Sequence, residues 1–504
     1  MSVNRVEIRR QLAHRLNGSA AFRKKSISAL LAALALLASS AVQALNFPDM
    51  LDDPLLTKPP VLTTGATLPR DSEPIACPEN EDITVPAPLT LGDAIDLALC
   101  RNPQIKGAWA LIKVQAGLVG EARGAYLPTA SISASKLHND TDYPQNHAFN
   151  TTADGKTYYG NFNWRLFDFG GRAANRESAN QLLAAAIASH EAALQKTLDV
   201  TIGAYFDAIT AHADWQARIK QVELAQTTLS STQRREQKGV SALSDTLQAK
   251  TALAKAQLEQ GRSQGDFSKA LSVLVYSLGL AGNTQLQLPD EVGDASQEQV
   301  QALDSWLQEA EQSHPAIVQA RAEWASDKAK VQTARATGLP TLDFSATYYQ
   351  NGFPNQGLSP TKSNISNIGF TVNIPLFEGF VTTYKIRGAK AQAERTEAQL
   401  LDTQNQILMA VVKAHADAVS SLGSLTAATD LLNAAQSSVT TSQLRYSKGA
   451  ADILELLSTQ SALAEAEHER IKSIADWRSA RLRLMSSAGL LGREAIVPRG
   501  GDGK

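Results

Sequence analysis

The residues best placed to do chemistry are two carboxylates, each of which follows a Lys-Gly turn. The two copies are separated by a constant offset of 210 residues. A carboxylate just after a turn can stabilise the first turn of the next helix, by about 0.3–1 kcal/mol, through the helix dipole. Tight turns of this kind use glycine because it tolerates a positive φ. The turns are Lys238-Gly239 and Lys448-Gly449, and the carboxylates are Asp245 and Glu455.

No catalytic constellation accompanies these carboxylates. The sequence contains no H-E-x-x-H, no C-x-x-C, no phosphate-binding loop and no nucleophile elbow. Its 8 histidines are scattered without the spacing of metal ligands. We therefore expect a protein that is not an enzyme and that uses neither a cofactor nor a metal ion.

Long helices must position the two turns. No proline occurs between residues 144 and 289, or between residues 375 and 498. Because proline costs about 3 kcal/mol inside a helix, runs of this length indicate long helices. The stretch 172–238 would extend roughly 100 Å at about 1.5 Å per residue. Each Lys-Gly turn then lies at the tip of a pair of helices that fold back on each other.

A shorter helix is predicted ahead of each pair. The first begins with Thr90 as N-cap and Asp93 as its acidic partner, and continues past Asn102-Pro103 to about Tyr126. The second begins near Leu303 and passes His314-Pro315. The pairs Asn102-Pro103 and His314-Pro315 lie 212 residues apart, and the two halves match without a gap, which indicates an internal duplication.

Two strand patterns follow each shorter helix. We predict strands at 129–138 and 158–167 in the first half, with a polar loop between them, and at 341–350 and 366–376 in the second half. Aromatic and aliphatic residues alternate with small polar residues, a pattern that fits a strand between lipid and water. A half-buried hairpin in a soluble protein has the same period, so the alternation alone leaves both possibilities open.

The N-terminus predicts export from the cytoplasm. A basic region precedes an apolar run, 27–38, that is too short to span a bilayer. Val42-Gln43-Ala44 fits a cleavage site, so we predict a signal peptide at 1–44; a membrane anchor is the alternative. An exported chain meets an oxidising compartment, which makes a Cys77–Cys100 disulfide plausible, with two unpaired thiols as the alternative. The formal net charge of −2 suggests no nucleic-acid partner.

These features divide the chain into six segments. A Pro-rich lead-in at 45–88 follows the signal peptide. The two repeats occupy 89–280 and 302–490, and a polar linker at 281–301 joins them. A short tail, 491–504, completes the chain.

The strands can cross a membrane only if several chains share one barrel. A membrane barrel needs about eight strands, and an open sheet edge leaves backbone groups unsatisfied in lipid. A helix of roughly 100 Å exceeds the bilayer's hydrocarbon core of about 30 Å, which places it in water. We therefore predict a shared barrel in the outer membrane whose helices extend across the periplasm.

Several motifs recur in the same order in both halves. Together they resemble the TolC family of outer-membrane efflux and secretion ducts. The resemblance implies a homotrimer with a 12-stranded outer-membrane β-barrel that continues into a long α-helical tunnel in the periplasm. It also implies docking to an inner-membrane transporter, of the ABC or another class, through a periplasmic adaptor protein. The motifs are Leu89-Thr90-Leu91 with Ala94, Ala98-Leu99 and Asn102-Pro103, the Leu-Pro helix ends, Leu376-Phe377-Glu378-Gly379, and Arg445-Tyr446 with Gly449.

The resemblance further implies a gate at the helical tips. In that family polar bonds between helices close the periplasmic end, which acidic residues line, and the matching candidates here are Asp245, Tyr446 and Glu455. Ala451 stands where the best-known member has a gate arginine, and Ser458 replaces a second carboxylate. The closing bonds should therefore differ here, and the acidic ring should be weaker. Tyr446 could hold the gate through its hydroxyl or could simply pack between helices.

These inferences favour a passive exit duct. The lead-in, the short tail and the lack of a lipid-anchor cysteine favour type I protein secretion, driven by an inner-membrane ABC transporter. Efflux of drugs or other small molecules is the alternative. A periplasmic coiled-coil adaptor or scaffold is the alternative from another class. At the exposed tips, the two Lys-Gly turns would contact the adaptor, or would be ordinary tight turns.

Overall fold

The computed structural model describes residues 54–55, 77, 85–289, 300–351 and 363–492. Its elements, all within the compact unit Pro59–Lys504, follow the same order in both halves. The long helices α3 and α7 each have 67 residues, and the returning helices α4 and α8 each have 35. The first half comprises α1 (Leu91–Arg101), α2 (Pro103–Gly124), β1 (Thr129–Thr141), β2 (Thr151–Phe167), α3 (Gly171–Gln237) and α4 (Leu243–Ser277). The second half comprises α5 (Leu303–Ser313), α6 (Pro315–Ala336), β3 (Thr341–Gln350), β4 (Asn364–Asn373), α7 (Val381–Ser447) and α8 (Ile453–Ser487).

Several sequence predictions fall outside the described residues. The signal peptide at 1–44, most of the lead-in, the centre of the linker and the tail from residue 493 are among them. Among the helices that are described, none combines the length and the apolar character needed to cross a membrane.

The shorter helix ahead of the strands is interrupted in both halves, so the prediction of a continuous helix was wrong. Asn102 separates α1 from α2 with an extended backbone (φ −62°, ψ 121°). The following Pro103 disfavours the helical region for Asn102, whose side-chain oxygen accepts a hydrogen bond from the Gln104 N–H at 2.8 Å. His314 takes the same role between α5 and α6, where its Nδ1 accepts from the Ala316 N–H at 3.2 Å.

The four strands form one antiparallel sheet in the order β1-β2-β3-β4. Its register places Trp164 opposite Phe344, and Phe344 opposite Phe370, so the predicted aromatic positions share one face. That face is uncovered in the described part of the chain: Ile368 is 75% exposed and Phe370 is 69% exposed. A hairpin of a soluble protein would bury such a face, because its apolar surface is unfavourable in water.

Four strand boundaries differ from the predicted ones. β1 extends to Thr141 and β2 begins at Thr151, so the polar loop predicted at 139–157 is shorter. Polar cross-strand pairs stabilise the longer hairpin. Thr152 donates to Asp140 at 3.0 Å, and further polar pairs follow along β1 and β2. β4 begins at Asn364 and not at residue 366. It ends at Asn373 and not at residue 376, because Pro375 has no N–H to donate to a sheet.

Two apolar clusters on α3 form the core: the first includes side chains of α1 and α8, and the second includes side chains of α1 and α4. Leu194, Leu198 and Ile202 on α3 are fully buried in the first cluster. Tyr205 of α3, in the second cluster, donates its hydroxyl hydrogen to the Leu89 carbonyl at 3.1 Å. A disulfide joins Cys77 to Cys100 beside this core, with their Cα atoms 5.5 Å apart. The core therefore fixes α3 against both its own returning helix and the returning helix of the other half.

Arg172 organises the junction between β2 and α3. Its backbone N–H and its Nε both bond to Asp168, at 2.9 and 3.0 Å. Its guanidinium also donates to the carbonyls of Arg165 (2.7 Å) and Leu166 (3.2 Å) and lies 4.8 Å from the Tyr126 ring centre. These groups belong to the end of β2, to the turn between β2 and α3, and to the segment that follows α2. The Arg172 side chain therefore joins the sheet to the helices.

Candidate functional site at the helical tips

Each pair of long helices ends in a turn closed by the same two backbone hydrogen bonds. In the first tip the Val240 N–H donates to the Arg235 carbonyl at 2.9 Å, and the Gly239 N–H donates to the Glu236 carbonyl at 2.8 Å. Gly239 has φ +69°, the left-handed conformation that commonly ends a helix. The second tip repeats these bonds around Gly449, at φ +74°. Both turn lysines, Lys238 and Lys448, are exposed.

The two tip carboxylates have different surroundings. Asp245 lies half-buried in the first turn of α4, and Ser244 donates to it at 3.3 Å. Within the described part of the chain, no basic side chain pairs with Asp245. Glu455 occupies the matching position of α8 and forms an ion pair with Arg445 at 2.9 Å. Its own N–H is capped by Asp452 at 2.7 Å. The second carboxylate is therefore partly neutralised, whereas the first is not.

Tyr446 of the second tip contacts Arg235 of the first tip. It is 8% exposed and packs against Ile453 and Leu456 of its own helix pair. Arg235 reaches it from the first tip: one guanidinium nitrogen donates to the Tyr446 carbonyl at 2.9 Å, and the guanidinium carbon lies 4.6 Å from the ring centre. Among the described residues, the buried Tyr446 hydroxyl has no hydrogen-bond partner. The ring and the backbone of Tyr446 make this contact, and the hydroxyl does not.

A cavity of about 540 Å³ lies above the tips, between the two helix pairs. Ser458, at the position where the family resemblance implies a carboxylate, is on its wall, whereas Ala451 packs in the cluster around Tyr446. Gln460 of α8 donates to the Thr228 hydroxyl of α3 at 3.2 Å across this region. Near the tips, polar side chains bridge the seam between the helix pairs, and no large apolar core formed by the described residues fills it.

A polar cluster ends this loosely filled region on the side away from the tips. One carboxylate oxygen of Asp214, on α3, accepts a hydrogen bond from His468 Nδ1 of α8 at 2.7 Å. The other carboxylate oxygen accepts a hydrogen bond from the Ser263 hydroxyl of α4 at 2.8 Å. The hydrogen bond that His468 donates to the Asp214 carboxylate raises the pKa of His468 above its ordinary value. Burial acts to raise the pKa of Asp214, but the hydrogen bonds from His468 and Ser263 outweigh it, so that this pKa is lowered. The geometry favours an imidazolium paired with a carboxylate.

The structure does not bring the three predicted gate residues together. In the described residues, no hydrogen bond or ion pair joins any two of Asp245, Tyr446 and Glu455. Sequence reasoning missed Arg235, although it recurs as Arg445 at the same offset of 210 residues. It also missed the cluster of Asp214 and His468, which are 254 residues apart and carry no shared motif. Among the described residues, no three His, Cys, Asp or Glu side chains are grouped as metal ligands would be.

Comparison with known proteins gives consistent similarities. The family described as "Outer membrane efflux protein" matches this chain in two segments, 94–280 and 306–490. Protein CyaE of Bordetella pertussis is 33% identical over 414 residues, covering 81% of this chain and 85% of CyaE. The alkaline protease secretion protein AprF of Pseudomonas aeruginosa is 25% identical, covering 80% of this chain and 85% of AprF.

Solved structures show the same fold. The outer membrane protein VceC of Vibrio cholerae superposes with a TM-score of 0.69 at 20% sequence identity. That superposition covers 79% of this chain and 96% of VceC. The described arrangement of a strand sheet on long paired helices is therefore the fold of this outer membrane protein.

Proposed function

The chain belongs to the outer membrane efflux protein family and is located in the outer membrane, and we propose that it is the exit duct of a tripartite export system. The observation that carries the proposal is the sheet with an uncovered apolar face, set on paired helices of 67 and 35 residues. At about 1.5 Å per residue the longer helices would extend roughly 100 Å, which suits a passage through the periplasm. Cargo would move through the duct passively, driven by an inner-membrane transporter.

We further propose that the duct is a homotrimer. The sheet has four strands with two free edges, β1 and β4, which in lipid would leave their backbone groups without partners. Three copies would supply the twelve strands and the long tunnel helices that the resemblance implied. The same exposed apolar face argues against a soluble coiled-coil scaffold, because that face would remain in water.

The closed state of this duct would be held at the tips by Arg235 and Tyr446. This pair ties α3 of the first half to α7 of the second, and it supplies the charge and the aromatic ring in one contact. It would replace the arginine contact that Ala451 cannot make. The exposed turns at Lys238-Gly239 and Lys448-Gly449 would face the adaptor protein, because they form the free ends of the helix pairs.

We propose a protein substrate exported by a type I system, with an ABC transporter as the inner-membrane component. AprF, a relative along 80% of this chain, is named for the secretion of an alkaline protease. Deletion of the gene should remove one or a few proteins from the culture medium, and the cloned wild-type gene should restore them. Minimal inhibitory concentrations of drugs should stay unchanged. Increased drug sensitivity with unchanged secretion would instead assign the duct to small-molecule efflux.

The tip carboxylates should bind multivalent cations when these enter from the periplasmic side. Replacing Asp245 with Ala should weaken block of the single-channel current about tenfold, if each of the three half-buried carboxylates of a trimer contributes about 0.5 kcal/mol. Replacing Glu455 with Ala should have a smaller effect, because Arg445 already neutralises that carboxylate. The measurement is the concentration of a trivalent cation that halves the current.

The matched control for this titration is Asp266→Ala. Asp266 is an exposed carboxylate of α4 that lies farther from the tip and pairs with Lys269 at 2.9 Å. Its removal should leave the block unchanged. If the Asp245 and Glu455 variants are blocked as strongly as the wild type, these carboxylates do not face the passage.

A further inference from the structure

The seam between the two helix pairs changes character along its length. Away from the tips, α3 and α8 share an apolar core that contains Ile202, Phe206 and Leu482. Toward the tips, the same helices border the cavity of about 540 Å³. The cluster of Asp214, Ser263 and His468 lies at the boundary, and it joins three helices from both halves of the chain. We name this cluster the clasp.

We propose that the clasp fixes the upper end of the tip segment that separates when the duct opens, and that loss of a proton from His468 releases it. The segment below the clasp is joined across the seam by single side-chain contacts, Arg235 to Tyr446 and Gln460 to Thr228. Those contacts can break one at a time, whereas the core above the clasp would have to expose its apolar side chains. Since the clasp matters only if the tips separate, this inference rests on the proposed duct function.

The charges around His468 determine the pH at which the clasp acts. On α3, Asp214 stabilises the imidazolium and Arg218, 3.5 Å from Asp214, opposes it; on α8 itself, Glu469 stabilises it. α7 runs antiparallel to α8, and the Ser442–Thr459 hydrogen bond sets their alignment. Asn433 of α7 therefore lies level with His468, and Asp430 lies one turn away. On α4, Ser263 is uncharged, and the nearest charges are Glu259 and Asp266, which pair with Arg262 and Lys269.

The sign of the pH effect follows from these contacts. Because the pKa of His468 is raised in the folded chain, the clasp is complete below the ordinary histidine pKa of about 6.5 and is lost as pH rises through the raised value. The pKa of Asp214 is lowered, so its carboxylate stays charged throughout this range. The duct should therefore be more firmly closed at pH 6 than at pH 8.5.

Spin labels placed just below the clasp, on the tip side, test this inference. Cysteines at Glu223 of α3 and Ala462 of α8, both exposed, carry the labels, and the native cysteines remain in their disulfide. In the purified full-length protein, the shortest distance between the labels should lengthen and broaden from pH 6 to pH 8.5. His468→Gln, which can donate a hydrogen bond but cannot titrate in this range, should abolish the response. Asp214→Ala should give the longer distance at both pH values.

His415→Gln is the control, because His415 lies half-buried on α7 and bonds to the Gln301 carbonyl instead. It should keep the wild-type response. A wild-type distance that does not change with pH, or an Asp214→Ala distance equal to the wild type at pH 6, would overturn the inference. Because the labels report on the seam directly, these outcomes are independent of whether the protein conducts ions, which tests the duct itself.

Discussion

Replacing Arg235 with Ala should open the closed duct more than any other single substitution at the tips. Arg235 donates a hydrogen bond to the Tyr446 carbonyl at 2.9 Å and lies 4.6 Å from the ring centre. A charged hydrogen bond and a partly desolvated cation–π contact together contribute about 2 kcal/mol. Losing them should shift the ratio of closed to open tips roughly thirtyfold in each protomer. The measurement is the single-channel conductance of the purified variant without partner proteins.

The variants of Tyr446 separate the ring from the hydroxyl. Tyr446→Phe keeps the ring and the backbone carbonyl, and the hydroxyl it removes has no hydrogen-bond partner in the described residues. We therefore expect Tyr446→Phe to conduct like the wild type and Tyr446→Ala to conduct more. Arg234→Ala is the matched control, because the exposed Arg234 bonds only to the Ser230 carbonyl of its own helix, at 3.2 Å. An Arg235→Ala channel indistinguishable from the Arg234→Ala channel would show that the tips close by another contact.

The second large effect concerns the stability of the second half in acid. Burial lowers the pKa of His314 to about 4, and its Nδ1 must be unprotonated to accept the Ala316 N–H that caps α6. The folded pKa lies below the unfolded value of about 6.5, so this contribution is complete above pH 6.5 and is lost as pH falls toward 4. The loss should reach about 3 kcal/mol at the acid limit.

Asparagine at position 314 should remove this acid sensitivity. Asn102 already caps α2 at the matching position of the first half and cannot titrate. The melting temperature of the His314→Asn variant, followed by circular dichroism, should therefore depend less on pH between 7.5 and 4.5 than that of the wild type. His415→Asn, at a half-buried histidine of α7 that caps no helix, should keep the wild-type pH dependence. If His314→Asn and the wild type lose stability in parallel, His314 is not the group that senses acid.

Local sequence rules predicted the elements well where the elements act alone. The capping box of Thr90 and Asp93 is present, the tips lie at their glycines, and β3 has the predicted bounds. The failures at residues 102 and 314 have a local cause as well, since the effect of a proline on the preceding residue outweighs helical periodicity. The longer β1–β2 hairpin depends on polar pairs that alternation in one strand does not show.

The contacts of the candidate site were less predictable because they join distant parts of the chain. Arg235 and Tyr446 are 211 residues apart, and no periodicity within one helix predicts which residue of the other half it meets. The repeat did place both tips at equivalent positions, but it could not show that equivalent arginines have different partners. Arg445 pairs with Glu455 in its own tip, whereas Arg235 crosses to the other tip. The resemblance led to Tyr446 itself, but not to the partner of its ring.

The central claim is that copies of this chain form a membrane duct that is closed at its tips. The most direct measurement is the current across a planar lipid bilayer after addition of the purified protein to one side. The account predicts stable single channels of low conductance for the wild type, and a several-fold higher conductance for Arg235→Ala at the same voltage. A wild-type protein that stays monomeric in water without detergent and produces no channels would contradict it.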